Sequence, residues 1–161
     1  MIRTITRPLK APTLPILNLA TLQNRLPLLA SDKEDGIRCL ICPERGPISG
    51  QLKPVPNIHV CQTLNDARFN YFDGELIALD SEGRDLSFND TQSAIMTVLG
   101  RPRFEFRVFD WFGNIYAPYT ERLQFLAGKC KAYLSPHIVL LPQTLCRTVK
   151  HLEDCESSAI S

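Results

Sequence analysis

What this sequence lacks narrows it first. No run of apolar residues is long enough to span a bilayer. The N-terminal stretch MIRTITRPLKAPTLP is basic but broken by prolines, and it lacks the continuous apolar segment of a signal peptide. The expectation is a cytoplasmic protein with no membrane partner. Neither sign of charge is in excess: 18 Lys and Arg face 17 Asp and Glu, formally +1. Composition therefore neither proposes nor excludes a nucleic-acid partner. Internal repeats and low-complexity segments are absent. With 161 residues and 44% hydrophobic content, the chain suits one domain with a real core.

The six cysteines do not read as a disulfide scaffold in a chain this large and apolar. Cys39 and Cys42 have zinc-like spacing, with His59 and Cys61 downstream. They lie, however, in a segment, Ile37 to Cys42, that reads as a strand. Residues three apart on a strand point to opposite faces, so the two sulfurs cannot share an ion without a turn. Ordinary reduced thiols are expected. The three histidines, His59, His137 and His151, show no ligand spacing and are read as structural.

Along the chain, prolines at 8, 12 and 15 predict an extended leader over residues 1–16, ahead of a domain over residues 17–161. A short helix is expected from Leu17 to Asn24. Leu28–Ser31 and Ile37–Cys42 read as strands, flanking a polar loop from Asp32 to Gly36. Pro43–Pro47 reads as a turn. Asn57–Leu64 suits a short helix, Tyr71–Leu79 a strand, and Ser81–Arg84 a turn. Asn89 is a candidate cap for a helix through Gln92, Ile95, Met96 and Leu99. Phe104, Phe106 and Val108 alternate with Glu105 and Arg107, as a half-buried strand should. Thr120–Tyr133 reads as a helix, with Leu123, Phe125, Leu126 and Tyr133 as candidate core. His137–Leu141 reads as a strand and Gln143–Cys155 as a final helix. Strands and helices mix without a regular βαβ period, which predicts an α+β domain with a largely antiparallel sheet.

One segment points to chemistry: Lys33-Glu34-Asp35-Gly36-Ile37-Arg38. A lysine precedes an Asp-Gly turn, and an arginine follows five residues later. Lysine attacks a phosphoryl centre only when neutral, so a site must lower its reference pKa of about 10.4. Arginine suits phosphate or ribose oxygens, which it holds by several donors. Two further segments follow in order. Phe72-Asp-Gly-Glu-Leu-Ile-Ala-Leu-Asp80 places a second Asp-Gly, Asp73-Gly74, before a strand, with a carboxylate at Glu75. Arg103-Phe-Glu-Phe-Arg-Val-Phe-Asp-Trp-Phe112 is an aromatic strand containing Phe109-Asp110.

In order and spacing, these three segments resemble motifs I, III and IIIa of the ATP-dependent polynucleotide ligases and mRNA-capping enzymes. Lys33-x-Asp35-Gly36-x-Arg38 matches motif I in full. The stretches Leu52-Lys-Pro-Val-Pro-Asn57 and Phe88 to Met96 look like phage-type DNA ligases in particular. The resemblance runs from about Arg7 to about Glu153 and implies a partial nucleotidyltransferase (adenylation) domain. It implies that Lys33 takes AMP from ATP as a lysyl adenylate. Arg38 would contact the nucleotide's sugar or phosphate. Glu75 would bind the ribose or help place Mg²⁺, and Phe109 would stack on adenine. Ser31 and Asp32 would reach adenine through backbone groups. Asp35, Gly36, Asp73, Gly74 and Asp110 would be turn or support residues. The implied cofactors are ATP and Mg²⁺, and the implied partner is nicked duplex DNA, in replication, repair or recombination. For a phage-encoded enzyme the compartment would be the host cytoplasm.

Residues 104 and 106 share one strand face and 109 takes the other, so not all three aromatics can stack on one base. Arg122 reads as an ion partner on a helix surface. Four departures from the family pattern stand beside the match. Ser49 is followed by Gly50 and Gln51, where the family has an arginine shortly after a serine. Acidic Asp32 and Glu34 flank the lysine, and nearby carboxylates favour its charged form. Motifs IV and V do not follow, nor does an OB-fold domain. The expectation is an N-terminal portion that seals nicks weakly or not at all by itself. The alternatives are a non-catalytic remnant that binds nucleotide or a partner, an RNA ligase, and a capping-type guanylyltransferase.

Overall fold

Five strands, all drawn from Glu34–Leu140, make the main sheet, and a computed structural model describes residues 22–133 and 135–159. The chain divides into two units: Glu34–Leu140, and the described parts of residues 9–33 and 141–161. In the first, β2 (Ile37–Cys42) turns through residues 43–45 into β3 (Gly46–Ser49). Gly46 takes φ +66°, which a side chain disfavours. β4 (Phe72–Leu79) pairs antiparallel with β2, and β5 (Arg103–Trp111) antiparallel with β4. β6 (Ile138–Leu140) joins β5 in parallel, giving the order β3-β2-β4-β5-β6. This is the α+β, largely antiparallel arrangement expected from the sequence. Gly46 and Pro47, read as part of a turn, in fact open β3. The strand tolerates a proline because it lies at the sheet's edge, where a missing N–H costs little.

Three helices pack on one side of this sheet. α1 (Ile58–Leu64) starts at fully buried Asn57, whose side chain accepts from Val60 N (3.0 Å) and donates to Thr97 O (2.8 Å). α2 (Phe88–Met96) is capped by Ser87, not by Asn89, which lies within its first turn. Ser87 Oγ accepts from Asp90 N and donates to the Asp90 carboxylate, a reciprocal bond that Asn89 has no matching acid to make. α3 (Tyr119–Ala132) buries Leu126 completely. Leu123 and Tyr133 pack at the core margin. Phe125, expected inside, stays 47% exposed and lies against Trp111, ring centroids 4.2 Å apart.

Alternation along β2 sorts its residues between two clusters. Cys39 and Ile41 join Val60, Leu64, Leu76, Ile95, Phe104, Phe106, Val108 and Leu126 in the main core. Leu40 and Cys42 join Ile48 in a smaller one on the opposite face. The two cysteines thus point apart, as the strand period requires, and both are free thiols.

In the second unit, β1 (Leu28–Ala30) pairs antiparallel with β7 (Thr144–Cys146), and α4 spans Val149–Ala159. The single helix expected over Gln143–Cys155 is therefore wrong at its start. Pairing with β1, distant in sequence, takes residues 144–146 into a strand, and Thr148 begins the helix by accepting from His151 N (3.1 Å). The expected leader, residues 1–16, lies outside the described residues. Of the expected helix from Leu17 to Asn24, residues 22 and 23 are helical and Asn24 is in a turn. Among the described residues, no helix is long and apolar enough to cross a membrane.

At Gly74 the β5 backbone leaves no room for a side chain. A Cβ there would lie 2.3 Å from Arg107 O and 2.8 Å from Val108 Cα. Backbone cannot swing aside as a side chain can. Gly74→Ala should therefore destabilise by an amount near the top of the roughly 1–3 kcal/mol range for overpacking. The expected readout is a lower urea midpoint at unchanged m value; an unshifted midpoint would refute the close contact.

Candidate functional site

The register of three strands builds a polar row. Arg38 on β2 is the Cα partner of Glu75 on β4, and Glu75 is the partner of Arg107 on β5. Directly opposed residues in antiparallel strands share a face. Further along, Asp73 lies opposite Leu40 on one side and Asp110 on the other. The pairing of β4 with β5 slips here: Gly74 opposes Val108 but Asp73 opposes Asp110. Phe109 is the extra residue, and a bulge of this kind re-aims the side chains around it. The Arg38 guanidinium carbon stands 5.4 Å from the centroid of the Phe109 ring.

Ion pairs hold this face. Arg38 donates to both Asp73 oxygens, Nε to Oδ1 at 3.0 Å and Nη2 to Oδ2 at 2.7 Å. Asp73 is 4% exposed. Burial pushes its carboxyl above the ordinary range, and Arg38 opposes that rise. Burial works most strongly against the Arg38 charge, but the bonds to Asp73 together with the charges of Asp73, Glu75 and Asp110 outweigh it and hold its pKa above the usual value. Asp73 and Gly74 were read as a turn before the strand; both lie inside β4. The Asp-Gly pair serves an ion pair and a close strand approach instead.

Asp110 accepts from Nε and Nη2 of Arg122, at 2.8 and 2.9 Å, and also from Trp111 N at 2.7 Å. Arg122 further donates to Ala117 O (2.7 Å). It is not the helix-surface residue expected, because only about an eighth of its side chain is exposed. The Tyr119 hydroxyl donates to Phe109 O (2.8 Å). Two residues of α3 thus clamp the bulge from which Phe109 projects.

Arg107 was not singled out from sequence. Its guanidinium donates to Asp85 (2.6 and 2.7 Å), Glu34 (2.7 Å) and Glu105 (3.0 Å). The Asp85 bonds do most to hold its pKa above the usual arginine value; burial opposes them, and Glu34 and Glu105 add to them. Glu34, noted as an acidic neighbour of Lys33, thus has its carboxylate engaged by Arg107. The alternation of Glu105 and Arg107 placed them on the polar face, but nothing local revealed partners 22 and 73 residues away.

The fold therefore brings Arg38, Glu75, Phe109, Asp73 and Asp110 together on one face of the sheet. Ser31, Asp32 and Lys33 are exposed and belong to the unit that contains β1. They occupy the irregular stretch leading toward β2, where the chain bends at Gly36. A Cβ on Gly36 would stand 2.4 Å from Leu76 O, so this glycine is required by close approach to β4. Asp35 is exposed beside it. Away from the polar face, His137 stacks on Phe104, ring centroids 4.6 Å apart.

The fold has solved counterparts. The structure of the Chlorella virus DNA ligase-adenylate matches 98% of the chain with a TM-score of 0.80 at 23% identity. The fold is that of the ATP-dependent DNA ligases. A second crystal structure of the Chlorella virus ligase-adenylate agrees, with TM-score 0.80 and 25% identity over 98% of this chain and 56% of that one. The ATP-dependent DNA ligase of bacteriophage T7, in complex with ATP, matches 91% of the chain and 57% of its own at TM-score 0.57 and 14% identity. A Lig E DNA ligase matches 82% of the chain and 50% of its own at TM-score 0.62 and 19% identity. The chain spans 57% of the first Chlorella virus chain, somewhat more than half of a ligase of that kind. No protein-family model matches the sequence. No curated protein matches it either.

The Arg38–Asp73 pair makes a prediction with a pH sign. Arg38→Met leaves Asp73 buried without its cation, which should cost about 3 kcal/mol at neutral pH. The folded-state pKa of Asp73, already raised by burial, rises further in the variant. A raised carboxyl favours folding most below its unfolded pKa of about 3.9 and loses that advantage as pH climbs through the folded value. The deficit against wild type should thus be smallest near pH 4 and grow toward pH 7 in urea titrations. A deficit independent of pH would sink this account of the pair.

Proposed function

We propose that this chain is the nucleotide-handling portion of an ATP-dependent DNA ligase, with Lys33 as the residue that becomes adenylated. The observation that carries the reading is the meeting of Arg38, Glu75 and Phe109 on one sheet face of a ligase fold. These residues come from three separate segments, each of which resembles a ligase motif in order. The Chlorella virus structure is a ligase-adenylate and the T7 structure an ATP complex, which supports the same chemistry here.

The polar face suits a nucleotide in its chemistry. The partly exposed Phe109 ring is a platform for a flat base, and Arg38 beside it offers a fixed cation. Asp73 holds the Nε and Nη2 donors of Arg38, so a ribose or phosphate oxygen would take Nη1. Ser31 and Asp32 would meet the base through backbone groups. Bound Mg²⁺ would neutralise charge on the polyphosphate, and Glu75 is the carboxylate that would help place it.

In the proposed reaction, neutral Lys33 Nζ attacks the α-phosphorus of ATP. The bond from that phosphorus to the bridging oxygen breaks, pyrophosphate leaves, and Nζ gives up its proton. AMP then passes to a 5′-phosphate at a DNA nick, and the 3′-hydroxyl displaces it to seal the strand. The chain spans 57% of the first matched ligase, and the first of these steps is the one its own residues are proposed to perform.

Incubation with α-labelled ATP and Mg²⁺, followed by a denaturing gel, tests this. Wild type should carry label through denaturation, and Lys33→Ala should carry none. Phe109→Ala should label but need roughly five- to 150-fold more ATP, the loss of about 1–3 kcal/mol of stacking. No label on folded wild-type protein would overturn the reading and leave a non-catalytic remnant in its place.

A further inference from the structure

Among the described residues, one trio of metal-ligating side chains converges: Cys146, His151 and Cys155, whose ligand atoms all lie within 4.8 Å of one another. All three belong to the smaller unit, in the β7–α4 corner. We propose that this trio is a binding site for a zinc-class divalent cation, with Cys146 and Cys155 as thiolate ligands and His151 as the imidazole ligand.

The geometry follows from the local fold. Cys146 ends β7, is fully buried, and is fixed by its pairing with Leu28. Two residues later Thr148 caps α4, which sets the helix phase relative to the strand. His151 and Cys155 are four apart on that helix, so both side chains lie on one face, one turn from each other. The Cys146 and Cys155 sulfurs are 3.6 Å apart. A tetrahedral zinc ion with bonds of about 2.3 Å to sulfur holds two thiolates roughly 3.8 Å apart. The sulfurs therefore already stand at the separation such an ion requires. Hard cations such as Mg²⁺ prefer all-oxygen sites, so the soft donor set selects a zinc-class ion. Three protein ligands leave a fourth position for water. His151 is exposed, which gives an ion a way in.

A ligand role for His151 departs from its reading as structural, which rested on linear spacing alone. A Cys-x4-His-x3-Cys spacing is ambiguous in one dimension. It becomes a site only because the first cysteine is on a strand and the other two ligands are on a helix folded back against it.

The test uses the full chain, kept reduced with a phosphine and stripped with a chelator. Titration with Co²⁺ should produce a thiolate-to-cobalt charge-transfer band and a tetrahedral visible band at one ion per chain, and Zn²⁺ should displace both. Cys155→Ser and His151→Gln should each weaken binding by at least about 100-fold, since loss of a mere supporting contact already costs about 10–100-fold. Cys130→Ser, in the other unit, should bind as wild type does. Wild type alone gives a second readout: Zn²⁺ should protect Cys146 and Cys155 from alkylation without changing the rate at Cys61 or Cys130. Absence of the charge-transfer band, unchanged affinity in either ligand variant, or unprotected thiols would each overturn the proposal.

Discussion

The candidate site depends on one slip in strand pairing. Between Asp73 and Gly74 the register of β4 on β5 shifts by a residue, and Phe109 is the residue left over. Without that slip Asp110 would face the core side, as its place in the alternation Phe104, Phe106, Val108 demands. With it, Asp110 meets Arg122, and Phe109 stands beside Arg38. The slip is held from both sides: Gly74 lets the strands close up, and Tyr119 and Arg122 grip the bulge from α3.

The three ion-pair systems of this face are better understood as positioning devices than as sources of stability. Removing charges from water costs energy that their attraction only partly returns. Arg38–Asp73 and Arg122–Asp110 are both bidentate, which fixes the planes of two guanidinium groups. Arg107 differs, since one cation serves three carboxylates and its surroundings carry net negative charge. The face thus has a cationic, aromatic end near Arg38 and an acidic end near Arg107.

Much of this was legible in the sequence, for identifiable reasons. The first motif segment runs into β2 and the other two lie on β4 and β5, so their order reported three adjacent strands. The period of two correctly divided Phe104 and Phe106 from Phe109, and Cys39 from Cys42. Most of what failed depended on partners far away in the chain. Asp73-Gly74 looked like a turn because Asp-Gly prefers one; only the nearness of Arg107 O shows why a glycine sits in a strand. Residues 144–146 looked helical because β1, their pairing partner, is more than a hundred residues upstream. Arg122 looked like surface because its partner lies on another element. Asn89 lost the cap to Ser87 through a neighbour, Asp90, which local propensity ranks no higher.

The clamped bulge also bears on the entropy of recognition. A free aromatic side chain surrenders rotational freedom when a ligand settles on it, a cost of roughly 0.5–1.5 kcal/mol for each group ordered at binding. Phe109 has its carbonyl tethered by Tyr119 and its ring flanked by the Arg38 guanidinium, itself immobilised by Asp73. The ordering is thus completed during folding. A flat ring laid on Phe109 would meet a surface already set in place, and more of its contact energy would be kept as affinity.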